Sequence, residues 1–385
     1  MIKRVIILGN HIQALGISRI VKKIGCEVVL CSNYKISVSR FSNSVDKFLF
    51  FRNYNEILNK IFFYKNDEND TLLIPTNDRM VEFIRDNYKY LNTHFYLSVP
   101  TPEIISLCYN KKNTYLKAKE LNISIPNSLY PANEDDLRGM KHLIKFPVII
   151  KPAVMYKLYK ETGRKNLKCA NEKELFENYK KVLKYIPADE VIVQEIIEGG
   201  ATVLFSYGSF FANNISFGSF IAHRIRQKPM DFGISTTFAK TVVNKDIQML
   251  AEKFLKGINY FGLSEIEFMY DKKSNEYKLI EINPRSWKWH SIANKLNINL
   301  FQMLINSLEG KENKIVVNDI ENIGWIEHLT DSYVVINEIL KGKLTFKEYL
   351  KTMKCCKEYA CWSWHDPLPG IIYFLLLPYL YFKRY

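Results

Sequence analysis

The first hundred residues alternate between apolar runs and amphipathic stretches. Residues 5–10 (VIILGN) form an apolar run, and the stretch that follows, up to Gly25, has apolar residues at the spacing of a helix face. An apolar run resumes at 27–32, and the same alternation recurs at 71–78 and 95–105. Strands that alternate with helices predict a parallel sheet buried on both faces. The first turn lacks the GxGxxG spacing of dinucleotide-binding domains, which disfavours a dehydrogenase.

Two later apolar runs end in polar residues. Residues 146–153 (FPVIIKPA) end close to Lys151, and residues 191–200 (VIVQEIIEGG) end in acidic side chains and a glycine pair. A lysine that closes a buried strand either reaches the surface or is aimed at an anion, and Pro152 indicates that the strand end opens into a cleft. The glycine pair is typical of a hinge, of close approach to a flat ligand, or of a plain turn.

Residues 202–229 alternate between polar and apolar side chains with glycine and Asn-Asn punctuation, as a meander of antiparallel strands does. Arg224 and Arg226 lie two residues apart, so we expect their side chains on one face of a strand. A basic strand face of this kind suits a phosphate-bearing ligand. At the end of an earlier strand, residues 76–78 suit either ligand binding or a helix cap, and we give the two equal weight.

The most unusual pattern is residues 265–290, where carboxylates interrupt a buried strand pair. The segment KSNE is typical of a hairpin tip, so we expect Glu267 and Glu281 to lie near one another, with Asn283 on the same face as Glu281. Grouped carboxylates are costly to bury unless basic residues or a hard cation neutralise them. Such oxygen ligands suit Mg²⁺, and Arg285 would add positive charge on the same face. Spacing alone favours a magnesium site and a salt-bridged edge strand equally.

Composition restricts the class of protein. The 385 residues are 47% hydrophobic and 24% charged, which predicts a folded chain of two or three domains. The formal net charge of +14 suits a phosphate-rich partner, but the basic residues are dispersed, which disfavours nucleic-acid binding. Seven irregularly spaced cysteines and an N-terminus without a signal-peptide pattern predict the cytoplasm. The adjacent cysteine pair disfavours a zinc site and favours buried thiols in the group Cys355, Cys356, Cys361 and His365.

An apolar stretch of 13 residues, 370–382, precedes Lys383 and Arg384. This length is below the roughly 20 residues that span a bilayer. The stretch is compatible with docking on a membrane surface, or with packing on the protein core or a dimer partner. We favour packing, because Pro378 would interrupt a long amphipathic helix.

In combination these segments resemble the ATP-grasp superfamily of ATP-dependent ligases, and more closely its carboxylate–amine ligase and carbamoyl-phosphate-synthase-like branch, often found among polysaccharide biosynthesis genes. The resemblance is carried, in order, by NKKNTYLKAKELNISIP, FPVIIKP, VIVQEIIEGG, HRIRQKP followed by DFG, and GLSEIEFMYD with YKLIEINPR. It implies an α/β and α+β fold class: a Rossmann-like (pre-ATP-grasp) domain with a parallel sheet, an ATP-grasp domain of two α+β subdomains with ATP between them, and a short extension. The implied bounds are 1–105, 106–190, 191–310 and 311–385, the last including the apolar tail.

The resemblance also implies roles for single residues. The implied nucleotide-binding residues are Lys111 and Lys151 at the phosphates, Gln194, Glu195 and Ile197 at the adenine, and Glu198 near the ribose. The acidic residue that often contacts the ribose would fall at Ala201, so either Glu198 replaces it or this contact is absent. The implied metal ligands, for Mg²⁺ with Mn²⁺ as an alternative, are Glu267, Glu281 and Asn283. The implied catalytic residues are Arg226, which would hold the phosphates or an acyl phosphate, and Arg285, which would steady the transferred phosphoryl group. The loop after Lys151 departs from the Gly-rich pattern of the family, and either Lys165 or Lys168 would close over the phosphates.

The implied reaction converts a substrate carboxylate to an acyl phosphate with ATP, and an amine then captures the acyl group as an amide. The implied partners are small-molecule or sugar-linked carboxylates and amines. A homodimer and peripheral contact of 370–382 with the inner membrane face are compatible with this function. A kinase of the same fold and a non-catalytic nucleotide-binding protein stay open as alternatives. Trp287, Trp289 and His290 are candidate contacts for the acceptor, with buried packing favoured for the tryptophans.

Overall fold

The computed structural model describes residues 1–65, 70–154, 158, 161–230, 233 and 235–376. Part of the lysine-rich loop, most of the DFG segment, and the apolar stretch after residue 376 therefore lie outside the described residues. Within this part of the chain, the strands form a five-stranded, a four-stranded and an eight-stranded sheet. This mixed α/β and α+β architecture confirms the predicted fold class.

The first sheet is parallel and lies in the N-terminal part of the chain. Its elements are β1 (Arg4–Leu8), α1 (His11–Lys23), β2 (Glu27–Ser32), β3 (Lys47–Phe50), α2 (Asn55–Phe62), β4 (Thr71–Pro75), α3 (Asp78–Asp86), α4 (Tyr88–Asn92) and β5 (Tyr96–Leu97). The strand order is β3-β2-β1-β4-β5, with parallel pairing throughout. Successive residues of β1, such as Ile6 and Ile7, have no solvent exposure. Both faces of this sheet are therefore covered, as the alternation predicted.

The second sheet is antiparallel and follows two helices. The elements are α5 (Pro102–Tyr109), α6 (Lys111–Glu120), β6 (Ser128–Leu129), α7 (Glu134–Met140), β7 (Val148–Pro152), β8 (Leu167–Cys169), α8 (Glu172–Val182) and β9 (Val191–Glu195). The strand order is β6-β9-β7-β8. The Asn110 side chain caps α6 by accepting a hydrogen bond from the Asn113 backbone N at 3.2 Å. This cap begins the helix at Lys111.

The third sheet is the largest. Its main elements are β10 (Leu204–Ala212), β11 (Ile215–Lys228), β12 (Ser235–Val242), α9 (Lys245–Gly257), β13 (Gly262–Asp271), β14 (Glu276–Asn283) and α10 (Leu300–Leu308). The predicted meander corresponds to β10 and β11, and the predicted hairpin corresponds to β13 and β14, both antiparallel. A short 3-10 segment, His290–Leu296, follows β14 and packs against α1.

The C-terminal part of the chain adds strands to the third sheet. Its elements are β15 (Val316–Val317), β16 (Gly324–Ile326), α11 (His328–Leu340), α12 (Phe346–Met353), β17 (Cys356–Tyr359) and α13 (Leu368–Leu375). The resulting order is β14-β13-β10-β11-β12-β16-β17, with β15 on β11. No helix in the described ranges has both the length and the apolar character needed to cross a membrane.

The first and third sheets meet through one apolar core. This core includes Val5 and Leu15 from the N-terminal part and Phe210 and Trp287 from the third sheet or its flank. The Gln13 side chain donates a hydrogen bond to the Ser286 backbone oxygen at 2.8 Å. The carboxyl edge of the parallel sheet therefore faces the end of β14, where the sequence predicted a site.

Candidate functional site

Four polar side chains form a ladder on the β13–β14 hairpin. Glu267 is paired in register with Glu281, and Glu265 is paired with Asn283. Because paired positions and positions two apart share a face, all four side chains project from the same side of the sheet. Glu265 and Glu267 are buried, and Glu281 and Asn283 are half-buried. The geometry of Glu267, Glu281 and Asn283 is therefore the one that the sequence predicted.

Two basic residues neutralise this acidic ladder. The Lys111 Nζ lies 2.5 Å from Glu281 Oε2, and the Arg224 guanidinium donates to Glu267. Arg224 also lies 3.7 Å from Glu265. Burial disfavours the charged form of Lys111, but Glu281, Tyr115 and Glu267 together outweigh burial and raise the lysine pKa. These ion pairs hold the ladder side chains in place.

The pKa values of the three carboxylates diverge. The Lys111 charge lowers the pKa of Glu281 well below its usual range. Burial raises the pKa of Glu267, an effect that Arg224 opposes. Burial and the neighbouring Glu267 charge raise the pKa of Glu265 to about 8. Burial and Glu267 thus favour the neutral form of the Glu265 carboxyl group, which reduces the negative charge of the ladder.

Lys151 closes β7 and joins the second sheet to the third. Its ammonium group donates to Tyr115 Oη at 2.8 Å and to Gln194 Oε1 at 2.7 Å. The Tyr115 hydroxyl in turn donates to the Ile280 backbone oxygen on β14 at 2.8 Å. Burial lowers the pKa of Lys151. The lysine thus points inward, toward the ladder, rather than to the surface.

Arg285 connects the end of β14 to the parallel sheet. Its Nε donates to Asp78 Oδ1 at 2.7 Å, and an Nη donates to Asn283 Oδ1 at 3.3 Å. Burial disfavours the charged arginine, but Asp78, Tyr109 and Glu265 together outweigh this effect and raise the Arg285 pKa. The Asn77 side chain caps α3, which is the helix-cap role that the sequence allowed for residues 76–78. This strand end therefore supplies a helix cap, Asn77, and an ion-pair partner for Arg285, Asp78, while ligand binding there stays a prediction.

The structure corrects the expectation that Arg224 and Arg226 share a strand face. A bulge in β11 aligns Arg224 with Ala239 of β12 and Arg226 with Phe238. These two residues of β12 are adjacent in sequence, although Arg224 and Arg226 are two positions apart. The extra residue turns Arg226 to the opposite face, where its Nε and Nη2 each lie 2.8 Å from a different Asp331 oxygen. Arg224, and not Arg226, contacts the acidic ladder.

The end of β9 and the segment that follows it carry the remaining predicted nucleotide contacts. Gln194 is buried and donates to Ser128 Oγ at 2.8 Å. The Glu195 and Ile197 side chains are half-buried, and the exposed Glu198 pairs with Lys273 at 2.8 Å. Gly199 has φ +111°, and a Cβ there would lie 2.7 Å from a Val203 methyl group. The glycine is therefore required for the turn itself.

Several observations bear on a cation and a nucleotide. Among the described residues, no group of three or more His, Cys, Asp or Glu side chains is arranged as a ready metal site. However, Glu265 Oε1, Arg224 Nε and Ser206 Oγ are buried and have no hydrogen-bond partner. Ser206 is paired in register with Glu267. An unused carboxylate or hydroxyl oxygen suits a cation, and an unused arginine N–H suits a phosphate oxygen. The two kinds of group together therefore fit a cation bound with a polyphosphate better than a cation alone.

Lys165 and Lys168 differ in their relation to the ladder. The half-buried Lys165 interacts electrostatically with Glu281, and burial lowers its pKa. Lys168 is exposed and aligned with Ile149 in the second sheet. Of the two lysines considered for closure over the phosphates, Lys165 is the one whose charge acts on the site.

Trp287, Trp289 and His290 pack in the core. Their exposed fractions are 1%, 2% and 1%, so none offers a surface to an acceptor. The Trp287 ring lies against Gly208, where a Cβ would come within 2.1 Å of the indole. His290 Nδ1 lies 2.5 Å from the Trp287 backbone oxygen. These contacts agree with the buried packing that the sequence favoured for the tryptophans. His290 is buried in the same core.

His290 should make stability sensitive to acid. Burial lowers its pKa from 6.5 to about 4, so between these values the unfolded chain binds a proton that the folded chain does not. The free energy of unfolding therefore rises with pH across this window and falls on acidification. We expect His290→Asn to be less stable than wild type at pH 7.5, and the difference to shrink by about 1–3 kcal/mol at pH 4.5. Urea unfolding at both pH values measures this.

The exposed His365 offers the matched control. His365→Asn should keep the wild-type dependence on pH. An unchanged difference between His290→Asn and wild type at the two pH values would contradict the assignment of a buried neutral imidazole.

The sequence did not single out Glu265 or Tyr115. Glu265 lies two residues before Glu267, and this spacing alone would have placed it on the same face. Tyr115 lies four residues after Lys111, the spacing that puts two side chains on one helix face. Both spacings are visible in the sequence. However, each becomes informative only once its neighbour, Glu267 or Lys111, is assigned to the site.

Comparison with known proteins gives one family match and distant relatives. Residues 220–305 match the family described as carbamoyl-phosphate synthase L chain, ATP binding domain. A D-aspartate ligase of Enterococcus faecium (strain Aus0004) is 25% identical over 232 residues, which are 58% of this chain and 55% of that protein. The match thus spans about half the length of that relative.

Solved structures extend the similarity over most of the chain. N5-carboxyaminoimidazole synthetase from Staphylococcus aureus superposes with a TM-score of 0.67 at 13% identity, covering 88% of this chain and 86% of that one. The biotin carboxylase domain of a Hydrogenobacter thermophilus 2-oxoglutarate carboxylase gives 0.65 at 16% identity, covering 83% and 72%. At these identities the likeness concerns the fold. The chain therefore shares the fold of these structures, and residues 220–305 are similar in sequence to the ATP binding domain of the carbamoyl-phosphate synthase L chain.

Proposed function

We propose that this chain is an ATP- and Mg²⁺-dependent ligase that activates a substrate carboxylate and joins it to an amine. The observation that carries the proposal is the opposed pair Glu267 and Glu281, held by Arg224 and Lys111 at the junction of the second and third sheets. Carboxylates matched to lysine and arginine in this way suit a cation bound together with a polyphosphate. The relative named D-aspartate ligase and the H. thermophilus neighbour solved with MgADP support it.

The cation would be held by Glu267, Glu281 and Asn283, with Glu265 beside them. When bound, ATP would supply the phosphoryl group and the cation would neutralise its negative charge. Lys111 and Arg224 would then exchange their carboxylate partners for phosphate oxygens. Lys151 and Lys165 would add further positive charge on the phosphate side. Mn²⁺ would serve as an alternative to Mg²⁺.

The adenine would lie against the end of β9 and the residues that follow it. Backbone groups of Glu195 and Ile197 would read the base edge, and the Gln194 side chain, now bonded to Lys151 and Ser128, would lie beside it. Glu198 would reach the ribose only by leaving Lys273. Arg226 is already paired with Asp331, so we assign the phosphate-binding role proposed for it to Arg224.

The reaction would take place between the ladder and Arg285. A carboxylate oxygen of the substrate attacks the γ-phosphorus, the bond to the β-phosphate oxygen breaks, and ADP leaves. The amine nitrogen then attacks the acyl carbon of the acyl phosphate, inorganic phosphate leaves, and the nitrogen loses a proton. The role of Arg285 is to hold the transferred phosphoryl group in line, in an orientation set by Asp78. No side chain of the protein becomes covalently modified.

The carboxylate substrate would be a small amino acid, or a sugar-linked acid from cell-surface polysaccharide. The first choice follows from the name of the D-aspartate ligase relative, and the second from the resemblance in sequence. The protein would act in the cytoplasm, and a homodimer is compatible with this function.

ADP release tests the proposal directly. We expect purified protein with MgATP to release ADP at least about tenfold faster when the matching carboxylate and amine are both present, because only the complete set turns over. A coupled spectrophotometric assay over pools of amino acids, including D-aspartate, and of amines measures the rate, and mass spectrometry identifies the amide. A phosphorylated product without an amine would indicate a kinase instead. ATP binding without ADP release under every condition would indicate a non-catalytic protein.

A further inference from the structure

The C-terminal helix α13 is fixed firmly to the body of the protein. Asp366, just before it, accepts hydrogen bonds from Arg19 Nε at 2.9 Å, Ser42 Oγ at 2.6 Å and the Asn43 backbone N at 3.0 Å. Within the helix, the buried Tyr373 hydroxyl donates to Glu327. These contacts set which face of α13 is turned inward and which is turned outward.

The outward face is an apolar ridge. Pro369 and Tyr373 are buried, whereas the four large apolar residues of the other face are exposed by 46% to 65%. Two tryptophans continue this surface before the helix, with ring centroids 5.3 Å apart, and Trp364 is 83% exposed. We define the ridge as Trp362, Trp364, Leu368, Ile371, Phe374 and Leu375. Their three- to four-residue spacing within the helix gives one continuous stripe.

Charge distinguishes the ridge from an ordinary surface. The one acidic residue between positions 360 and 376 is Asp366, which is buried in its ion pair with Arg19. The residues that follow, LPYLYFKRY, lie outside the described part but add apolar and aromatic character, then Lys383 and Arg384, with no acidic residue. An apolar surface with tryptophans that leads into basic residues matches the boundary between acyl chains and anionic headgroups.

We propose that the ridge docks the protein on the surface of a bilayer that contains anionic lipid. The eight residues of α13 are too few to cross a membrane, which takes about 20, so the helix would lie in the interfacial plane. Headgroup phosphates would attract Lys383 and Arg384, a contact expected to weaken with salt. A second copy of the chain would bury the same apolar area, but two copies with a formal net charge of +14 each repel one another, whereas an anionic surface attracts the chain. This inference does not depend on the proposed ligase activity.

Vesicle flotation of the full chain tests the proposal. We expect wild-type protein to float with phosphatidylcholine vesicles in which about 30% of the lipid is anionic phosphatidylglycerol. The bound fraction should be smaller at high salt. Phe374→Glu/Leu375→Glu should reduce the bound fraction at least about tenfold, because it places two charges in the apolar layer. Phe374→Ser/Leu375→Ser, a milder change, should also reduce it. Circular dichroism and thermal unfolding establish that each variant is folded.

Leu340→Glu/Phe346→Glu is the matched control, since these residues are 80% and 62% exposed but lie outside the ridge. It should float like wild type. Failure of the wild-type protein to float with the phosphatidylglycerol-containing vesicles overturns the proposal, as does loss of flotation in the control. A dimer in lipid-free buffer that the Phe374→Ser/Leu375→Ser variant dissociates, together with absent flotation, would assign the ridge to a second copy.

Discussion

Glu281→Gln is expected to reduce MgATP turnover by about 10²–10³-fold. The substitution removes the charge that faces Glu267 across the hairpin and that holds Lys111 at 2.5 Å. The cation would lose one carboxylate ligand, and Lys111 would lose the partner that raises its pKa. Calorimetric titration with a slowly hydrolysed ATP analogue, with and without Mg²⁺, should show that the variant weakens the metal-dependent part of binding.

Glu276→Gln provides a control on the same strand. Glu276 is exposed and accepts a hydrogen bond from Ser124 Oγ at 3.1 Å, away from the ladder. Its substitution should leave both nucleotide binding and turnover within about twofold of wild type. Equal binding by wild type and Glu281→Gln, in the presence and absence of Mg²⁺, would leave the ladder as a buried ion-pair network without a ligand.

Asp331→Ala is expected to cost about 3–5 kcal/mol of the free energy of unfolding. Asp331 is fully buried and accepts two hydrogen bonds from Arg226 and one from Thr237 Oγ1 at 2.8 Å. Arg226 also lies over the Phe238 ring, 4.4 Å from its centroid. Without Asp331 the guanidinium would remain buried without its counter-ion. Denaturant unfolding of the ligand-free protein measures the loss.

The double variant Arg226→Met/Asp331→Ala separates structure from catalysis. Removing both charges should recover part of the lost stability, because no unpaired charge remains. If Arg226 serves only this pair, Arg226→Met should also bind the ATP analogue as wild type does. A loss of nucleotide binding in folded Arg226→Met would restore the phosphate role that the sequence indicated. A destabilisation by Asp331→Ala below about 1 kcal/mol would contradict the buried pair.

The elements that follow local periodicity were predictable from the sequence. The alternation in the first hundred residues predicted the parallel sheet, and the KSNE turn predicted the β13–β14 hairpin and the facing of Glu267 and Glu281. In both cases the pattern that is visible in a few residues is also the pattern that decides which side chains are buried.

Features that depend on distant partners were not predictable. The bulge at Ile225 leaves no mark in the sequence, yet it sends Arg224 and Arg226 to opposite faces. The pairing of β12 with β16 joins residues about ninety positions apart. Likewise, Asp78 pairs with Arg285, which lies 207 positions later in the chain, and nothing in the local sequence predicts this contact. Such pairings are fixed by tertiary packing and not by local propensity.

The short helix α6 restricts where the chain can tolerate insertions. Lys111 reaches the carboxylate of Glu281, and Tyr115, one turn later, reaches Lys151 and the backbone of β14. One residue inserted between them would rotate one side chain by about 100° around the helix axis relative to the other. Both contacts could not then be made together. Length variation among related proteins should therefore accumulate in the exposed turns, such as the hairpin tip before Glu276, and should spare the stretch from Lys111 to Tyr115.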